Sequence, residues 1–121
     1  MNPISVLLVD DEEDLSLVLA ERLEMKGFIA RGVVSSEEAL DLIEKEEFDV
    51  MIIDIKMPGI GGLDLMQRVK QKRPETQIIL FTGHGTDKEG ETAIDDGAYD
   101  YLIKPIKIED LIAKIEKAAG K

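Results

Sequence analysis

The stretch Val50-Met51-Ile52-Ile53-Asp54 decides how this chain folds. Its first four residues are apolar, with no polar residue between them. A strand with one wet face alternates apolar and polar residues, whereas a strand covered on both faces does not. The run therefore predicts a strand at the centre of a parallel sheet, with Asp54 at its carboxyl end. Pro58, Gly59, Gly61 and Gly62 make the loop that follows. A helix is predicted from Leu63 to Lys72, with Leu63, Met66 and Val69 inward, and Pro74 stops it.

The same alternation of short strand and amphipathic helix extends in both directions. Upstream, Val6 to Val9 reads as a strand, and Asp14 to Met25 as a helix with Leu15, Val18, Leu19 and Leu23 on its inner face. Gly27 closes that helix as a C-cap glycine. Phe28 to Val34 is a second strand. Ser35 and Glu38 stand at capping-box spacing before a helix that turns Ala39, Leu42 and Ile43 inward. Downstream, Ile78 to Phe81 is a strand. Asp87 to Asp96 is a helix loosened by Gly90, with Ala93 and Ile94 as its core residues, and Gly97 closes it. Tyr99 to Ile103 and Ile108 to Ala118 supply the last strand and helix.

Five βα units imply a parallel sheet with helices on both faces. Right-handed crossovers favour the doubly wound, flavodoxin-like α/β fold with strand order 2-1-3-4-5. The 121 residues fit one domain, residues 1–121. A 44% apolar content with only 4% aromatic residues predicts an aliphatic core. The chain contains no cysteine, which excludes disulfides, thiolate metal sites and cysteine nucleophiles. With no secretion signal and no long apolar run, a cytoplasmic protein without membrane contact is expected. A net charge of −11 repels phosphate backbones, so direct nucleic-acid binding by this chain is not expected.

In doubly wound folds the site lies at the carboxyl ends of the strands, near the point where strand order reverses. After strand 1 come Asp10 and Asp11, after strand 3 Asp54, after strand 4 Thr82 and Gly83, and after strand 5 Lys104 and Pro105. Each is ordinary alone: an aspartate at a strand end is commonly a turn former, and Thr-Gly and Lys-Pro are common loop pairs. Their joint placement on one edge is what calls for a function. Three close carboxylates cannot all ionise without compensation. A hard divalent cation such as Mg²⁺ supplies it through oxygen ligands, and Lys104 adds a compact cation. With the Thr82 hydroxyl, these parts suit phosphoryl transfer to a carboxylate nucleophile. Glu12, Glu13 and Asp14 continue the acidic run and read as a solvated helix start.

At these residues the chain resembles the receiver domains of two-component signalling over essentially its whole length. The resemblance rests on Leu8-Val9-Asp10-Asp11, on Asp54-Ile55-Lys56-Met57-Pro58 with Gly62 closing the pattern, and on Thr82-Gly83. Gly97-Ala98-Tyr99-Asp100-Tyr101-Leu102 and Lys104-Pro105 complete it, in order and at family spacing.

It implies that Asp54 is the phosphoacceptor. Mg²⁺, or Mn²⁺ in its place, would be held by Asp10 (through water), Asp11, Asp54 and the backbone carbonyl of Lys56. Lys104 would pair with the phosphoryl group, ahead of a cis bond to Pro105. Thr82 and Tyr101 would form the switch pair that reshapes the surface of helix 4, strand 5 and helix 5. The phosphoryl group would come from a histidine kinase or histidine phosphotransfer protein. Such a chain is a switch rather than an enzyme, catalysing only its own phosphorylation and dephosphorylation. Its output would be a downstream protein or output domain, with a homodimer as one form.

Lys56 and His84 hold the positions that, in the family, tune the lifetime of the acyl phosphate. Lys56 either shields the phosphoryl group or points into solvent, and His84 is read as a solvent-facing loop residue. Leu17 lies opposite the apolar stripe of helix 1 and reads as a single exposed leucine.

Two other classes fit less well. A phosphatase of the haloacid dehalogenase type places its nucleophile after the first strand and its acidic pair last, the reverse of this order. A flavin carrier of the same strand order needs a hydroxyl- and amide-rich loop after strand 1, where this chain has five consecutive acids, Asp10 to Asp14. A stand-alone or excised receiver is the organisation expected.

Overall fold

The computed structural model describes residues 3–83 and 87–120, with the backbone alone for 87–90. Val50–Asp54 forms β3, and all five of its residues are buried. It pairs in parallel with β1 (Ser5–Val9) on one side and β4 (Gln77–Thr82) on the other. With β2 (Ile29–Val33) and β5 (Asp100–Ile103), the order is β2-β1-β3-β4-β5, and every pairing is parallel. This is the doubly wound, flavodoxin-like sheet that the sequence predicts.

The helices are α1 (Glu13–Met25), α2 (Ser36–Lys45), α3 (Gly62–Lys72), α4 (Asp87–Asp95) and α5 (Ile108–Ala118). Strand residues alternate between the two sheet faces. Val6, Leu8, Val50, Ile52, Ile79 and Phe81 pack with Leu19 and Leu23 of α1 and Leu111 and Ile115 of α5. Leu7, Val9, Met51, Ile53, Ile78 and Leu80 pack with Ile43 of α2, Leu65, Met66 and Val69 of α3, and Ala93 of α4. Both cores are aliphatic apart from Phe81 and Phe48. Among the described residues no helix is long and apolar enough to cross a membrane.

Three helix faces differ from the periodicity reading. In α1 the buried residues are Ser16, Leu19, Ala20 and Leu23, and Val18 is exposed. The stripe is centred on small residues because α1 lies very close to β2: a Cβ built on Gly32 would stand 2.5 Å from the Ser16 hydroxyl. Hydrophobic weighting favours Val18, but contact distance favours serine and alanine. In α3, Leu65 is buried and Leu63 only partly so. In α4, Ala93 is buried whereas Ile94 is exposed. Leu17 is exposed, as expected.

The helix ends follow their local chemistry. The Ser35 hydroxyl accepts the Glu38 N–H at 3.1 Å, as a capping box requires. The Glu38 carboxylate reaches back to the N–H of Val34 rather than that of Ser35. Gly27 takes φ +96°, and Phe28 N–H donates to the Leu23 carbonyl, which closes α1.

Candidate functional site

The pleat aims the side chains at the carboxyl edge. In β3, Val50 and Ile52 face the core under α1 and α5, so Asp54 continues on that side. Leu8 in β1 and Leu102 in β5 face the same core, and Asp10 and Lys104 each follow two residues later. Three strands thus deliver two carboxylates and an ammonium to one point. Asp10 is 1% exposed and Asp54 5%.

Asp10 and Asp54 are held in the same way. One carboxylate oxygen of each accepts the N–H two residues on: Glu12 N–H at 2.9 Å for Asp10, and Lys56 N–H at 3.2 Å for Asp54. These Asx turns leave the other oxygen of each free to meet the same cation. Lys104 Nζ stands 3.0 Å from Asp10 Oδ2 and 3.5 Å from Asp54 Oδ2. Its third contact is Glu12 Oε1 at 3.2 Å, and its Nζ lies 5.9 Å from the centre of the Phe81 ring. The Lys104 N–H donates to the Thr82 carbonyl at 2.9 Å, which fixes β5 beside β4 at this edge. The Lys104–Pro105 bond is cis, as the sequence reading expected.

The charges interact strongly. Burial pushes the Asp54 carboxyl above the usual carboxylate range. Lys104 pulls it part of the way back, and Asp10 pushes it further up. Burial alone would lower Lys104, but the hydrogen bond and charge of Asp10 outweigh it. With the charge of Asp54 and the bond to Glu12, they hold the ammonium at about 12.

Asp10, Asp11 and Asp54 each offer a carboxylate oxygen, and these lie within 4.8 Å of one another. Two of the three acids are buried and Asp11 is exposed at the mouth. This donor set suits a hard cation that keeps some of its water. The Lys56 carbonyl accepts no hydrogen bond among the described residues, and Lys56 itself is exposed.

Thr82 is 1% exposed, and its hydroxyl has no hydrogen-bond partner among the described residues. An unpaired buried hydroxyl is costly to keep. At the edge of a site it is a donor ready for an oxygen-rich ligand. Tyr101 is half-buried in β5, and its N–H donates to Asp100 Oδ1 at 2.8 Å. Its side chain is not among the groups gathered around Lys104. His84 lies outside the described residues.

Two features were not read from the sequence as parts of the site. Glu12, whose sequence context is a solvated helix start, is a third carboxylate on Lys104. Gly62 is more than a loop residue. A Cβ there would meet the Ile55 Cα at 2.7 Å and the Asp54 carbonyl oxygen closer still. Gly62 N–H also donates to the Ile55 carbonyl at 2.9 Å. The first turn of α3 therefore rests on the backbone of Asp54. The glycine cluster marked a loop, but only the fold shows which backbone it approaches.

Known proteins resemble this chain over nearly its whole length. The family model described as "Response regulator receiver domain" matches residues 6–116. The C4-dicarboxylate transport transcriptional regulatory protein DctD of Rhizobium meliloti is 37% identical over 117 residues, covering 97% of this chain and 25% of that protein. The receiver domain of NtrX from Brucella abortus superposes with a TM-score of 0.89 at 32% identity, covering 96% of this chain and 98% of that one. A response regulator protein from Burkholderia pseudomallei, solved with a phosphorylated aspartic acid, a calcium ion and citrate, gives 0.86 at 30% identity over 97% of this chain and 69% of that one. The chain spans between a quarter and a half of the length of the curated relatives it matches first.

Proposed function

We propose that this chain, which belongs to the response regulator receiver domain family, works as a switch phosphorylated on Asp54. The observation that carries this reading is the pairing of a buried Asp54 with Lys104, with a Thr82 hydroxyl that has no partner among the described residues at the end of the neighbouring strand β4. A carboxylate oxygen of Asp54 attacks the phosphorus of a phosphohistidine on a histidine kinase or histidine phosphotransfer protein. The phosphorus–nitrogen bond breaks, and the histidine leaves. Asp10, Asp11, Asp54 and the Lys56 carbonyl would hold Mg²⁺, which would supply positive charge against the phosphoryl oxygens. Lys104 supplies the second positive charge, and the Asx turns at Asp10 and Asp54 hold both carboxylates in place before transfer. The order of the acids along the chain and the absence of a hydroxyl-rich phosphate loop weigh against the phosphatase and flavin-carrier alternatives.

The phosphoryl group adds charge and acceptor oxygens where the Thr82 hydroxyl has no partner among the described residues. Thr82 turns to it, and Tyr101, half-buried on the neighbouring strand, moves into the space behind. The face of α4, β5 and α5 carries the signal outward. Ile94, Tyr99 and Ile103 are exposed there, and they would meet a downstream protein, an output domain or a second copy of the chain. Lys56 and His84 set the lifetime of the acyl phosphate. The receiver, residues 1–121, acts in the cytoplasm and turns over no substrate other than its own phosphoryl group.

Beryllofluoride, which mimics the phosphoryl group on a carboxylate, tests this reading. With Mg²⁺ it is expected to shift the amide resonances of Asp54, Thr82 and Lys104 and those of β5 and α5. No shifts, or equal shifts in Asp54→Asn, would overturn it.

A further inference from the structure

We propose that Glu12 is a positioning residue that tethers Lys104 in the resting state and must release it when the phosphoryl group arrives. This inference rests on the switch reading above. An ammonium has three N–H donors, and Lys104 faces three carboxylates, Asp10 at 3.0 Å, Glu12 at 3.2 Å and Asp54 at 3.5 Å. Lys104 therefore has no spare donor for a new phosphoryl oxygen until one contact is given up. Asp10 is buried and fixed by its own turn. The Glu12 side chain is 64% exposed and can be rehydrated at little cost. Glu12 is the contact that yields.

A second, independent observation points the same way. Glu12 is the N-cap residue of α1, yet its side chain makes no capping hydrogen bond. Serine, threonine, aspartate and asparagine are the residues that stabilise this position. Glutamate is long enough to pass over the helix end and reach Lys104, so the local cap is left unfilled in favour of a contact across the site. The carboxylate that holds Lys104 thus belongs to the N-cap residue of α1. Loading the site would free Glu12 and alter the surface at that helix end.

The test is the affinity of the full chain for beryllofluoride in saturating Mg²⁺, for wild type, Glu12→Gln and Glu12→Asp. Glu12→Gln removes the charge. Glu12→Asp keeps the charge but is shorter by one C–C bond, ~1.5 Å, and prefers to cap α1. If the tether competes for Lys104, both variants bind beryllofluoride about two- to five-fold more tightly, the range an exposed ion pair commands. Wild-type affinity in Glu12→Asp with a change only in Glu12→Gln would mean that bulk charge acts, and would overturn the proposal. Unchanged affinity in both variants would also overturn it. No binding by the wild type would overturn the switch reading and this inference with it.

Discussion

Replacing Thr82 by valine should make this protein more stable while impairing its switching. Thr82 is 1% exposed, at the end of a central strand, and its hydroxyl has no partner among the described residues. Valine keeps the branched shape and the strand preference but removes the hydroxyl. An unmet buried polar group costs about 1–3 kcal/mol. Thr82→Val is therefore expected to raise the unfolding free energy by about that amount. At roughly 4 °C per kcal/mol for a domain of this size, the melting temperature rises by about 4–12 °C. Urea and thermal unfolding in metal-free buffer measure it. Thr82→Ser is the control: it keeps the hydroxyl and loses a buried methyl, so it should be less stable by about 1 kcal/mol. In beryllofluoride the order of benefit reverses, because only the hydroxyl variants gain a bond on loading. A Thr82→Val protein no more stable than wild type would show that the hydroxyl is already paired at rest and is no unmet donor.

Asp54→Asn should also stabilise the protein at pH 7. Burial raises the folded-state pKa of Asp54, so the folded protein holds this proton more tightly than the unfolded chain does. The resulting penalty is absent at low pH and grows as pH rises through the unfolded and then the folded pKa. The variant's advantage in urea midpoint should therefore fade toward pH ~4; a gain that grows on acidification would contradict the sign. Lys104 behaves in the opposite sense: its folded pKa is raised from 10.5 to about 12, so its stabilisation is complete below 10.5 and is lost as pH rises through about 12. Lys104→Met should cost about 2 kcal/mol at pH 7 by leaving Asp10 buried without its cation, and wild-type stability in that variant would rule the ion pair unimportant. Gly62→Ala should lose about 1–3 kcal/mol, because the new methyl meets the Asp54–Ile55 backbone. Alanine's better helix propensity alone would give a gain of about 1 kcal/mol, so a more stable variant would refute the close contact.

Strand order and the main site residues were legible because they depend on local signals. The unbroken run Val50 to Ile53 marks a doubly covered strand, and the residues after each strand fall on one edge by topology alone. Asp10, Asp54 and Lys104 converge as that argument requires. What was not legible depends on distances between elements. Ser16 displaces Val18 from the buried face of α1 because Gly32 lets the helix come close, and no periodicity in α1 contains that fact. By hydrophobicity Ala93 and Ile94 both read as core, but Ala93 occupies the contact and leaves Ile94 outside. Glu12 looked like one acid in a run of five, and its partner lies 92 residues away.

On the proposed reading, Asp54 accepts a phosphoryl group in a metal-dependent reaction. Incubation with acetyl phosphate and Mg²⁺, followed by intact mass, tests it most directly. A single phosphoryl adduct is expected in the wild type, lost with chelator and lost in Asp54→Asn. Where acetyl phosphate gives no adduct, the cognate kinase replaces it as donor. An adduct of equal yield in Asp54→Asn would place the phosphoryl group on another residue and rule Asp54 out as the acceptor.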